Sequence, residues 1–356
     1  MDATEPRGAL QSARIELDDD AGALYELSMR AGWGDGLPLL PATEARVREL
    51  IHGVPHPPDH VIAVLPPRRG VATIEKIAVN AAMAGVEPAA FAYVVAALQA
   101  LTQPDHNLDG LVTTTSSANS ALVVNGPRRR ELGFDHEAGC LGGASGRGSM
   151  TVGRAVQLCL RNIGGQHAGT TSKTVFGNPT RVTGLCFAEW EERSPWPSLA
   201  VQRGFATDDE VVTVHAAKGM LMFADGNTRD ARDLVELIAK TLAYPLGNAF
   251  HGSPGRGQTV LLVNPMWAAR FDAAFPRLED LQAELQLHAW QSIEAWPPAA
   301  RATLVEKGRV EPDGRVVMHA SPKQFVIVVC GGLGNLQATA LPTWGDTTMQ
   351  SARTER

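Results

Sequence analysis

Residues 66–100 read PPRRGVATIEKIAVNAAMAGVEPAAFAYVVAALQA. After Arg68 and Arg69, the only charged residues in this stretch are Glu75, Lys76 and Glu87. So long a charge-poor run is the composition of buried helices. Gly85 and Pro88 punctuate it, which predicts two helices, over about 71–84 and 88–102. Thr73, Lys76 and Asn80 fall on one stripe of the first helix, at i, i+3 and i+7. A Lys inside an apolar helical layer is costly unless it is paired or used. The stripe therefore marks a candidate polar centre.

Outward from this stretch, short apolar runs alternate with helical patterns. HVIAVLP (60–66), ALVVNGP (121–127), RVTGLCFAEW (181–190), EVVTVHAAKG (210–219), QTVLLVN (258–264) and QFVIVVCGG (324–332) read as strands, as does LVTTTSS near 111–115. Residues 21–32, the segment after Thr43, the segment 150–163 and RDARDLVELIAKTLA (229–243) read as helices. The pattern predicts an α/β or α+β protein, a mixed sheet covered by helices with Gly/Pro-rich connections. No internal repeat is visible. Four segments are expected: a flexible N-terminus at 1–20, an α/β domain at 21–206, a second α/β part at 207–346 with continuity with the first as the alternative, and a tail at 347–356. The boundary is placed at the charged turn ATDDE.

Composition narrows the function classes. The 356 residues are 44% apolar and 20% charged, with a net charge of −6. That balance argues against nucleic-acid binding by phosphate neutralisation. The N-terminus lacks the basic and apolar regions of a secretory signal, and no run of about 18 apolar residues suggests a membrane span. Cys140, Cys159, Cys186 and Cys330 are scattered, without a CxxC. They read as reduced thiols in a cytoplasmic protein. The ten histidines show no HxH, HExxH or HxxxH spacing, so no metal site is assigned, although His215, His251 and His319 all stand at strand ends or turns. No cofactor is named by any motif.

Four constellations could carry chemistry. Arg68 and Arg69 precede a helix start and suit a carboxylate or phosphate, with Glu75 and Lys76 as an acid/base pair and Asn80 and Asn125 as orienting groups. The alternative for these charges is an internal salt-bridge network. In the loop GCLGGASGRGS (139–149), Arg147 and Ser149 at a helix start could cradle an anion; the alternative is a surface loop. In CFAEWEERSPWP (186–197), Glu189 sits nearest the strand and could act as a second acid/base, while Glu191 and Glu192 suit a solvated turn. Cys330 ends an apolar strand at a Gly turn, where a buried small hydrophobe is the alternative; Cys140, in its Gly-rich loop, is the likelier reactive thiol.

Several segments resemble the bacterial family associated with UGSC-motif (seleno)proteins. They are GWGDGLPLLPATEARV, LPPRRGVATIEKIAVNAAMAG, VVNGPRRRELG, TVGRAVQLCLRNIGG and CFAEWEERSPWPSLAVQRGF, with VIVVCGGLGN and LPTWG as weaker likenesses. The resemblance implies a large component working beside a small domain whose U/C-G-S-C motif supplies thiol or selenol redox chemistry. This chain has no CGSC of its own. The resemblance carries over no catalytic residue.

The expectation is a cytoplasmic enzyme, or enzyme subunit, acting on a small anionic metabolite by acid/base chemistry, an oxidoreductase or a lyase. It is expected to form a homo-oligomer and to have a small CGSC-type redox partner. Two alternatives stand beside it: a non-catalytic partner subunit of that redox protein, and a nucleotide-dependent oxidoreductase using the Gly-rich loops.

Overall fold

A computed structural model describes residues 8–356 except Ser145 and Pro254. The fold is α/β, with mixed sheets. The strands are β1 (Val61–Leu65), β2 (Gly70–Thr73), β3 (Asn119–Asn125), β4 (Leu185–Ala188), β5 (Val211–Ala217), β6 (Leu221–Ala224), β7 (Thr259–Val263), β8 (Trp290–Ser292), β9 (Arg315–Val317), β10 (Phe325–Val329), β11 (Gln337–Leu341) and β12 (Gln350–Arg353). Two four-stranded sheets dominate, ordered β12-β5-β3-β4 and β10-β7-β11-β6; β1-β2 and β8-β9 are separate ribbons.

The two-residue side-chain period of the strands shows how the sheets are stacked. In β3, Leu122 and Val124 join a core with the helices Ile74–Ala84, Phe91–Leu101 and Arg147–Asn162. The alternate residues Ala121 and Val123 join a different core, with Val260 and Leu262 of β7 and Val326 and Val328 of β10. Leu261, Val263, Ile327 and Val329 point the other way, onto the helices Ala231–Leu242, Pro265–Ala274 and Leu278–His288. The order is therefore helices, sheet, sheet, helices. The central strands are covered on both faces, which is why they read as continuous apolar runs.

The pairing pattern occurs twice. β3 is parallel to β4 and antiparallel to β5; β7 is parallel to β10 and antiparallel to β11. β6 pairs antiparallel with β11, and β12 antiparallel with β5, so each half lends its fourth strand to the other's sheet. The registers match: Val124 faces Ala188 as Val263 faces Val329. Asn125 and Asn264 are thus equivalent, as are Glu189 and Cys330. The only sequence trace is Ala-Leu-Val-Val-Asn at 121–125 beside Val-Leu-Leu-Val-Asn at 260–264.

This exchange changes the expected boundaries. β5 and β12, assigned from sequence to the second part and the tail, complete the first sheet. No cut near 206–210 separates two sheets. Residues 1–7 of the expected flexible N-terminus lie outside the described residues; beyond them, the amides of Gln11 and Ser12 bind the Glu75 carboxylate. The segment expected as a strand near 111–115 is largely helix, Leu108–Thr113. Within 66–100 the expected 71–84 helix is shorter, because residues 70–73 are β2. Thr73 caps the Ile74–Ala84 helix by accepting from the Lys76 amide, and Gly85 ends it at φ +88°. Thr73 therefore serves the helix start.

Candidate functional site

The helices Ile74–Ala84 and Arg147–Asn162 run antiparallel. Asn162 at the end of one donates to Asn80 Oδ1 at 2.8 Å, and Arg147 at its start donates to the Gly85 carbonyl at 3.1 Å. Thirteen residues separate Ser149 from Asn162, about 20 Å of helix. The residues assigned from sequence to one cleft are divided between these two ends.

At the Asn162 end, Lys76 is exposed and its Nζ donates to the Val71 carbonyl at 3.1 Å. Asn80 is buried, and its Nδ2 donates to the Lys76 carbonyl at 2.9 Å. A cleft of about 250 Å³ beside them is lined by Ser12, Gly70, Lys76, Asn80 and Asn162. Glu75 does not pair with Lys76. Its carboxylate accepts from Ser12 at 2.7 Å and from Gln11 at 3.0 Å. These hydrogen bonds outweigh burial and lower its pKa. Arg68 is exposed and packs over Gly165; Arg69 forms an exposed ion pair with Asp109 at 3.1 Å. Such a surface pair contributes about 0–1 kcal/mol.

At the other end, Arg147 caps the Ile74–Ala84 helix through the Gly85 carbonyl and pairs with Glu87. Ser149 is buried, and its Oγ accepts from the Asp135 amide at 2.8 Å. The anion cradle expected at this helix start is filled from within. The Ser149 amide donates to the Gly133 carbonyl, and the Gly146 amide to the Asp135 carboxylate. A second hollow, about 660 Å³, lies elsewhere, beside Asn227, Arg229, Asp230, Asp233 and Leu237.

Glu189 follows β4 and is completely buried. Its amide donates to the Val124 carbonyl at 3.1 Å, which holds it beside the end of β3. Oε2 accepts from Asn125 Nδ2 and from the Leu199 amide, both at 2.7 Å. Among the described residues, Oε1 has no hydrogen-bond partner, nor has Asn125 Oδ1. Burial pushes the carboxyl up to about 7 against the hydrogen bonds from Leu199 and Asn125. The nearby cation, Arg129, is buried but committed: it donates to the Glu189 and Gly126 carbonyls and pairs with Glu192 and Glu191. Glu191 is mostly buried too, accepting from Asn125 at 3.0 Å and from the Gly126 amide at 2.8 Å. It belongs to this network, where a solvated turn was expected.

Cys330 occupies in the second sheet the position that Glu189 occupies in the first, with its amide on the Val263 carbonyl at 3.0 Å. The segment His136–Cys140 is clamped onto it. The Gly331 amide donates to the His136 carbonyl at 2.8 Å, and a Cβ on Gly332 would stand 3.1 Å from the Ala138 Cβ. Cys140 is thereby brought against Cys330, and both are buried. The two thiols act on each other: the Cys140 pKa is lowered by Cys330, and that of Cys330 is raised by Cys140, by burial and by the Glu189 charge. Burial alone pushes Cys159 up, and it is the main cause at Cys186.

The structure thus joins Glu189 and Asn125 with Cys140 and Cys330, and leaves Lys76, Asn80, Arg68 and Arg69 at the far end of the helix pair. Sequence reasoning missed Arg129, His136 and the thiol pairing. PRRR at 127–130 signalled a cation, but nothing local singles out Arg129. Of the three histidines expected at strand ends or turns, His215 instead lies within β5, where it binds the Leu341 carbonyl, and His319 binds the Thr259 hydroxyl. Among the described residues, no three His, Cys, Asp or Glu are placed to hold a metal ion. Nor is any helix among them long and apolar enough to cross a membrane. No protein-family model, no curated protein and no solved structure matches this chain.

Proposed function

We propose that the chain is an enzyme whose acid/base group is Glu189, placed where the carboxyl ends of the central strands of the two sheets meet. One observation carries this reading: a fully buried carboxyl with one oxygen unpartnered, beside an Asn125 oxygen that is also unpartnered. The large majority of buried side-chain oxygens in folded proteins are hydrogen-bonded. With a pKa near neutrality, Glu189 can accept a proton from one group and return it to another. Asn125 holds Oε2 and offers Oδ1 to orient a substrate donor.

The substrate class is a small anion. Arg130 is an exposed cation of this region, with Nη2 3.4 Å from both His136 Nε2 and the Glu137 carboxylate, and Arg193, over the Trp190 ring, is another. Entry requires the segment from Glu137 to Ala144 to lift. Gly139 and Gly142 provide positions with φ of +75° and +126° where the backbone is free to turn. Proton transfer is the shared step, and its outcome is that of a lyase or an oxidoreductase. Four free thiols support a reducing, cytoplasmic setting. The resemblance to the UGSC-associated family adds a small CGSC-bearing protein as a proposed partner, tested by co-purification.

The test is a thermal-shift screen of small carboxylates and phosphates at pH 6 and pH 8, on the wild type and Glu189→Gln. The reading expects a ligand whose stabilisation differs between the two pH values in the wild type alone. A ligand set that stabilises both proteins equally at both pH values contradicts it.

A further inference from the structure

We propose that Cys140 and Cys330 are a redox-active dithiol, closing reversibly to an intramolecular disulfide by exchange with a low-molecular-weight disulfide. The two thiols come from distant parts of the chain and meet because the His136–Cys140 segment is fastened to the turn after β10. Both sulfurs lie in the apolar layer between the sheets, with Val328, Leu262 and Phe187. Among the described residues, no metal ligand set surrounds either sulfur. A buried pair of neighbouring thiols is the reduced form that a two-electron couple needs. The other two cysteines lack such a neighbour and sit in the helix-facing core.

The roles follow from where each cysteine sits. Cys140 lies in the glycine-rich segment that lifts for entry, between Gly139 and Gly142, whereas the Cys330 amide is held on the Val263 carbonyl, so Cys140 is the nucleophile. Its thiolate attacks one sulfur of the incoming disulfide, forms a mixed disulfide and releases the first small thiolate, which takes a proton from water. Cys330 then gives its proton to the Glu189 carboxylate and attacks the Cys140 sulfur. The new S–S bond forms, the mixed disulfide breaks, and the second small thiolate leaves. The protein dithiol loses two electrons and the small disulfide gains them. Gly139 and Gly331, each beside one of the two cysteines and both at positive φ, let the sulfurs close to bond distance.

This inference rests on the Glu189 reading only for the proton acceptor, and two readouts keep the two apart. The full chain is incubated with 2-hydroxyethyl disulfide at pH 7.5, quenched with acid, alkylated with N-ethylmaleimide in denaturant and weighed. The expected product carries two maleimides, on Cys159 and Cys186, and a non-reduced digest contains a Cys140–Cys330 cross-linked peptide. Cys330→Ser is expected to stop at the mixed disulfide on Cys140, and Cys140→Ser to remain unmodified. A wild type that keeps four alkylatable thiols, halts at a mixed disulfide or cross-links another pair overturns the dithiol. Glu189→Gln is expected to slow closure about a hundredfold without slowing the first attack. Equal closure rates overturn the role of Glu189 and leave the dithiol standing.

Discussion

Lowering the pH from 7 to 5 should destabilise this protein steeply, through three buried histidines. His106, His215 and His319 are each almost fully buried. Burial lowers their pKa values from 6.5 to about 3, about 4 and about 3. His106 and His215 also disfavour each other's charge, as do His215 and His319. Each ring has a neutral partner: Ser120 at 2.9 Å, the Leu341 carbonyl at 2.9 Å and Thr259 at 3.0 Å. Because the folded pKa values are depressed, the unfolded chain takes up these protons first. Stability is full above pH 6.5 and falls as the pH drops toward the folded values. Each proton is worth about 1.4 kcal/mol per pH unit. Glu189 acts in the opposite sense, since its folded pKa is raised from 4.5 to about 7. Between pH 6 and 5 the unfolded chain carries close to three protons on these histidines that the native chain lacks, and the native Glu189 holds one that the unfolded chain lacks. The net slope is then about 3 kcal/mol per pH unit. His167 and His251, also lowered but less buried, add to it. Urea unfolding at half-unit pH steps measures the slope. His106→Gln should reduce it by about 1.4 kcal/mol per unit, whatever it does to stability at pH 7. A flat profile from pH 7 to 5, or a slope unchanged in His106→Gln, refutes the reasoning.

Adjacent residues of the Ile74–Ala84 helix should behave differently. Glu75→Ala removes the acceptor of the Gln11 and Ser12 amides, so it should cost about 1–3 kcal/mol and speed hydrogen exchange at those two amides. Lys76→Met, at an exposed position, should stay within about 0.5 kcal/mol in denaturant unfolding and leave ligand stabilisation at Glu189 unchanged. Gly146→Ala should cost about 1–3 kcal/mol by calorimetry, because its Cβ would stand 2.1 Å from Asp135 Oδ1 and 2.5 Å from the Gly133 carbonyl.

Local chemistry made much of the architecture legible. Thr43 and Thr73 cap the helices that follow them, and Gly85 ends one, as their residue types require. The apolar strand runs are buried on both faces because two sheets stack with helices outside. Lys76 misled because composition reports the average burial of a segment, not which face a given side chain takes. The Ile74–Ala84 helix buries nearly all its residues, yet Lys76 lies on the strip that remains open. The repeat escaped because it resides in strand pairing, and the exchange of β6 and β12 breaks its order along the chain. Glu189 was legible from its place at a strand end beside an apolar run. Its neighbours were not, since Cys140 and Cys330 meet through backbone contacts between a glycine-rich loop and a turn far along the sequence.

The central claim is that Glu189 holds a proton near neutrality in a buried site with a free oxygen. Difference infrared spectroscopy of the carboxyl stretch, wild type minus Glu189→Gln across pH 4 to 9, reads that proton directly. The account predicts a protonated carboxyl band, absent from the variant, that titrates with a midpoint near 7. A band that has vanished by pH 5.5, the behaviour of an ordinary solvated glutamate, would contradict it.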